Sequence, residues 1–92
     1  MIVNHSRTWK RADYEKWIAK GCPVRKRVKE LLLADSALDE LSIHIDRLVN
    51  LEEINVSNNF LRELPPTLWK LHKVHHLDVS KNSISEISPD IN

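Results

Sequence analysis

Between Leu51 and Lys73 the apolar residues fall at Leu51, Ile54, Val56, Leu61, Leu64, Leu68 and Leu71. The first three end in period 2, as extended backbone does when one face is buried. The last four lie three and four apart, as in a helical or 3₁₀ return. A unit that changes period midway cannot close a core by itself, so it needs neighbours of the same kind. Shifting the chain against itself by 23 supplies them. Downstream, Val74, Leu77, Val79, Ile84, Ile87 and Ile91 repeat the pattern, with Asn82 landing on Asn59. Upstream, Val28, Leu31, Leu33, Leu38, Leu41, Ile45 and Leu48 repeat it again, with Ser36 in the asparagine place. Repetition at this length is the mark of stacked structural units.

The period-2 portions predict strands over 30–34, 53–57 and 76–80, stacked into a three-stranded parallel sheet with neighbours about 4.8 Å apart. A buried turn after each strand leaves backbone donors and acceptors without partners, and an asparagine amide can satisfy both kinds. Asn59 and Asn82 take that part. Ser36 offers less, so its repeat is expected to be the looser join. Pro65 and Pro66 are expected to hold the chain extended as it enters the return. Ahead of the repeats, 6–20 reads as a helix capped by Ser6 or Thr8, ended by Gly21 and kept from resuming by Pro23. Trp9 and Trp17 on it are read first as a seal over the open end of the first repeat, and second as a docking element for a partner's groove.

The motif L-x-x-L-x-L-x-x-N, followed in the second repeat by L-P-x-x-L-x-x-L, resembles the leucine-rich repeat superfamily in its 23-residue class, over residues 28–92. The resemblance implies an α/β solenoid with a short parallel sheet on the concave face, an irregular, 3₁₀ or helical convex side, and an N-terminal capping helix. It divides the chain into a cap and basic flank (1–27) and three repeats (28–50, 51–73 and 74–92). The last repeat is incomplete, so an open C-terminal edge is expected. That edge suggests either a fragment of a longer array or a homodimer that buries it.

Charge adds an asymmetry that the net value of +1 hides. Residues 1–29 hold nine Lys/Arg against two acidic residues, and 30–92 hold five against eleven. The basic run at Arg25, Lys26, Arg27 and Lys29 is read as a solvated flank before it is read as a localisation signal. No interleaved aromatics or groove-reading helix supports nucleic-acid recognition. No apolar run reaches the length of a membrane span. Met1–Lys10 lacks the continuous apolar core of a secretion signal. The lone Cys22 cannot pair within the chain, which favours a reducing compartment, cytoplasmic or alternatively nuclear. The sequons at Asn4 and Asn55 are then incidental.

Catalytic signatures are missing. One glycine cannot build a phosphate-cradling loop, and no nucleophile motif is present. His75 and His76 are successive strand positions, so with His72 they diverge instead of forming a metal site. No cofactor and no small-molecule substrate are expected. The resemblance implies a protein-binding adaptor or scaffold of the intracellular Ras-suppressor-like kind, working through its concave strand face. That face would present Glu30, Leu32, Glu53, Asn55, Ser57, His76, Asp78 and Ser80, with Asp35, Asn58 and Lys81 extending its edge. Leu32 is either a partner anchor or covered by the N-terminal helix. Phe60 and Trp69 lie off the core pattern as further candidate contacts. The rival reading is the regulatory N-terminal part of a larger signalling enzyme, such as a kinase, phosphatase or cyclase. A receptor role in ubiquitin transfer ranks last.

Overall fold

Three residues from each repeat pair side by side, and every pairing falls in the register that the 23-residue shift requires. In a computed structural model, which describes residues 7–84, strand β1 (Thr8–Trp9) and helix α1 (Arg11–Ala19) precede β2 (Glu30–Leu32), β3 (Glu53–Asn55) and β4 (His76–Asp78). The four strands form one parallel sheet in sequence order. Leu31, Ile54 and Leu77 share one row, with Glu30, Glu53 and His76 on one side of it and Leu32, Asn55 and Asp78 on the other. Two short 3₁₀ helices, Ile45–Arg47 and Pro66–Lys70, lie in the returns. A parallel sheet joined by 3₁₀ returns at a fixed repeat length is an α/β repeat fold.

The N-terminal region departs from the sequence expectation. Thr8 and Trp9 are not helical; they add a fourth strand to the sheet, with Thr8 opposite Glu30 and Trp9 opposite Leu31. This places the Trp9 ring at a core position, partly buried and 6.1 Å from the Trp17 ring. Pairing fixes Lys10 in an extended conformation (φ −112°, ψ −172°), so the helix begins only at Arg11. The Asp13 carboxylate accepts the Lys10 N–H at 3.0 Å, and Thr8 does not cap the helix. Ser6, the other expected cap, lies outside the described residues. Past the helix end at Ala19, Gly21 (φ 88°), the expected terminator, and Cys22 (φ 58°) turn the chain, with the Cys22 N–H returning to the Trp17 carbonyl at 3.0 Å. Trp17 is buried and its indole N–H donates to the Pro23 carbonyl at 2.7 Å. Tyr14, also buried, accepts the Ser42 N–H at 2.9 Å. Tyr14 thereby ties the helix to the first repeat, while Trp17 ties it to the segment that leads there.

Leu31, Leu33, Ile45, Leu48, Leu51, Ile54, Val56 and Leu61 are fully buried. Leu38, Leu64, Val74, Leu77, Val79 and Ile84 pack against this core but stay half-buried. Leu77 and Val79 occupy the places of Ile54 and Val56, one strand nearer the β4 edge. Ile87 and Ile91 of the sequence pattern lie outside the described residues.

Regular strand pairing covers three residues per repeat instead of the expected five. Asp35, Asn58 and Lys81, all near φ 55°, turn the chain into the left-handed region just beyond it. The turns are then held by the asparagines. Asn59 is buried, and its Oδ1 accepts the N–H groups of Ser36 at 2.9 Å and Leu38 at 3.0 Å. Its amide donates toward the carbonyls of Leu33, Val56 and Ser57 at 2.8–3.0 Å. Asn82 repeats the arrangement, accepting from Leu61 at 3.0 Å and donating to Val56 at 2.9 Å. Ser36 makes only a 3.3 Å contact to Ala34 inside its own turn. On the return side, Pro65 is extended (φ −65°, ψ 137°) as expected, but Pro66 opens the 3₁₀ helix. Its fixed φ suits a first helical position, where no donor is needed.

Burial and hydrogen bonding rank the sites. Ile54→Ala should cost about 2–5 kcal/mol, and Leu64→Ala clearly less because that side chain is already half in water. Asn59→Ala should cost about 1–3 kcal/mol for the buried backbone groups it orphans, more than Asn82→Ala and much more than Ser36→Ala. Urea unfolding of the variants gives the order; equal midpoints for Asn59→Ala and Ser36→Ala would contradict the assigned ladder.

Candidate functional site

In a strand, residues flanking a buried one face the other way. Leu31, Ile54 and Leu77 point into the core, so their flanking rows stand on the outer face of the sheet. One row runs Thr8, Glu30, Glu53, His76 and the other runs Leu32, Asn55, Asp78. Six of the eight residues expected to form the face are therefore brought together in two straight rows. Ser57 and Ser80 lie just past the strands, in the turns. The Asn55 Oδ1 accepts the Ser57 N–H at 2.9 Å, and the Asp78 carboxylate accepts both the N–H and hydroxyl of Ser80, at 3.0 and 2.6 Å. These side chains thus stabilise their own turns as well as lining the face.

The face is acidic toward its N-terminal row. Glu30 and Glu53 are neighbours across β2 and β3, an arrangement in which like charges repel. Thr8 donates to the Glu30 carboxylate. Lys29 lies 3.8 Å from Glu52 at the strand entrance, with both side chains partly in water, so this pair contributes little. Asp78 is half-buried; the Ser80 hydroxyl and N–H hold its carboxyl below the ordinary value of 3.8. Asn58 donates to the Asp35 carboxylate across adjacent turns, which joins the expected edge residues into one strip. Lys81 takes the same backbone position one repeat on.

Leu32 is half-buried and is not among the side chains packed on the core. Phe60 is 65 % exposed, as its off-pattern position implied. Trp69 differs: it is half-buried against the core, and its indole nitrogen is shielded from water without a hydrogen-bond partner among the described residues. Indole area is large enough to be drawn onto neighbouring leucines even from a position outside the repeat pattern. His72, His75 and His76 are exposed, and no three His, Cys, Asp or Glu side chains among the described residues gather where they could hold a metal ion. No helix among them is long and apolar enough to cross a membrane.

Some stacking contacts had no sequence signature. Arg47 reaches back to the Cys22 carbonyl at 3.1 Å. Asn50 donates to the Lys26 carbonyl and accepts from the Lys73 ammonium, both at 2.9 Å. The Thr67 hydroxyl donates to the Ile43 carbonyl at 2.5 Å. Each joins one repeat to the segment before it.

The lowered Asp78 pKa means that its contribution to stability is present above the unfolded carboxyl value and lost as pH falls through the folded one. A ¹³C-detected titration should therefore give Asp78 a midpoint below that of the same residue in unfolded chain, and Ser80→Ala should raise it. An unchanged midpoint in Ser80→Ala would remove the assigned cause.

Residues 49–91 match the family model described as leucine-rich repeats in two copies. No curated protein sequence matches the chain.

Proposed function

Since the chain is a leucine-rich repeat protein over residues 49–91, we propose that it is a protein-binding module whose partner lies across the outer face of the sheet. Leucine-rich repeats are typically non-catalytic interaction modules. In this reading the repeats, divided 28–50, 51–73 and 74–92, form a short solenoid with that face concave. The segment 1–27 is its N-terminal cap, with Trp9, Tyr14 and Trp17 covering the first repeat. The role is that of an adaptor or scaffold in the cytoplasm.

The observation that carries the proposal is the two-row alignment of Glu30, Glu53 and His76 beside Leu32, Asn55 and Asp78. Rows at strand spacing, one charged and one carrying a half-buried leucine, offer a partner an apolar anchor with polar flanks, which is how interface hot spots are built. The side chains of Glu53 and His76 hold no turn together, so they can be changed without disturbing the fold.

The test is a photo-crosslinking residue placed at Glu53 in one variant and at exposed Lys70 on the return side in another. The partner should crosslink from position 53 and not from 70, and Glu53→Arg with His76→Arg should lose at least about ten-fold in affinity for the crosslinked protein, a change of roughly 1.4 kcal/mol. Crosslinking only from position 70, or undiminished binding by a folded double variant, would move the interface off this face.

A further inference from the structure

Two of the exposed large apolar side chains share one surface feature. Ile18 of α1 and Ile43 of the first return are 40 % and 58 % exposed, and both line one open groove of about 920 Å³. Leu64 and Pro66 of the second repeat add to its apolar lining. None of the groove residues belongs to the sheet face, so this is a separate surface.

Two polar features give the groove a character. Tyr14 lines it and is itself 4 % exposed. Its hydroxyl oxygen accepts the Ser42 N–H. Burial pushes the phenol pKa above 10 against the lowering effect of the Ser42 hydrogen bond, with smaller upward contributions from Cys22 and Glu40. The group therefore stays a donor at neutral pH. With the Ser42 hydrogen bond made, the hydroxyl is satisfied and fixes the polar side of the groove wall.

The second feature is charge. Glu40 and Glu63 both line the groove, exposed, and occupy the same repeat position 23 residues apart. Neither is in an ion pair among the described residues. Sequence position 86 is again glutamate, outside the described residues. Arg62 is the one permanent cation in the lining, with His44 beside the exposed Ile43. Stacked carboxylates of like charge repel each other, and a cation brought by a partner relieves that repulsion.

We infer that this groove docks a short peptide segment with an apolar centre flanked by lysine or arginine. The apolar centre covers Ile18, Ile43 and Leu64, and the basic flank meets Glu40 and Glu63. A second copy of this chain is a poorer occupant, because a two-fold contact through this groove would gather four carboxylates around only two Arg62 guanidinium groups.

The test uses the full chain and three fluorescein-labelled probes: Lys-Lys-Ala-Leu-Leu-Ala-Lys-Lys, the same peptide with glutamate for lysine, and the same peptide with serine for leucine. Fluorescence anisotropy should show binding of the first and about ten-fold or weaker binding of the other two. Glu40→Lys with Glu63→Lys should abolish the preference for the lysine peptide, and Ile43→Ser should weaken it. Glu53→Arg with His76→Arg, on the sheet face, should leave it unchanged, which separates failure here from failure of the proposed protein-binding face. Because Glu40, Glu63 and Ile43 are exposed, these variants should keep the buried Trp17 emission; if the lysine pair does not, Glu40→Gln with Glu63→Gln replaces it. No binding of the lysine peptide, equal binding of all three probes, or loss only in the sheet-face variant would overturn the inference. So would a dimer of the free chain that Ile43→Ser disperses, since a second copy would then fill the groove.

Discussion

The structure depends on how its buried turns satisfy their backbone. After each repeat strand the chain reverses through a left-handed residue toward the core side of the repeat, and around Asn59 the turn is buried. Asn59 resolves this with one amide that touches five backbone groups, two as acceptor and three as donor. Three of those five, at Leu33, Ser36 and Leu38, belong to the preceding repeat. The bond set therefore does two things at once: it closes a turn and it fastens adjacent repeats in register. Hydrophobic burial supplies most of the favourable free energy, but leucines alone tolerate sliding. The amide, with fixed donors and acceptors, does not.

Where that device is missing, the chain changes character. In the first repeat Ser36 replaces asparagine and reaches nothing in the segment ahead of it. The turn there carries two left-handed residues, Asp35 and Ala37, where the other repeats have one. For alanine that conformation costs on the order of 1–2 kcal/mol. The junction with the N-terminal segment is held by other means: the Ser42–Tyr14 hydrogen bond, the pairing of Trp9 with Leu31, and Arg47 on the Cys22 carbonyl. Aromatic area and a guanidinium thus replace the amide at this end of the repeats.

Much of this was legible in the sequence, for a physical reason. A stack of identical units repeats its packing demands at a constant interval, so the shift of 23 located the strand register and the buried leucines. The candidate face followed, since flanking residues of a strand must point away from the core. What the sequence concealed lies where the interval breaks. Trp9 pairs with Leu31 at a separation of 22, not 23, and the polar pattern around it favours a helix, so β1 was hidden. Pro66 reads equally well as extended chain or helical start, and only the next turn decides. Trp69 was assigned outward by register, yet its area drew it onto the core. The groove beside α1 was invisible because its walls come from three segments. Its glutamates at 40 and 63 were in plain view, but as surface charge they had no core role to mark them.

The measurement that bears most directly on the central claim is amide hydrogen exchange of Ser36, Leu38 and Leu61, the three N–H groups bound by asparagine side chains across repeats. If the amide ladder fastens the stack, the Ser36 and Leu38 amides should be protected as well as that of Leu33, which is bound by the β3 backbone at 2.7 Å. Leu61, held by the half-buried Asn82, should exchange somewhat faster. Exchange of Ser36 and Leu38 at the rate of open chain, with Leu33 still protected, would show that the sheet holds without the ladder and contradict the account.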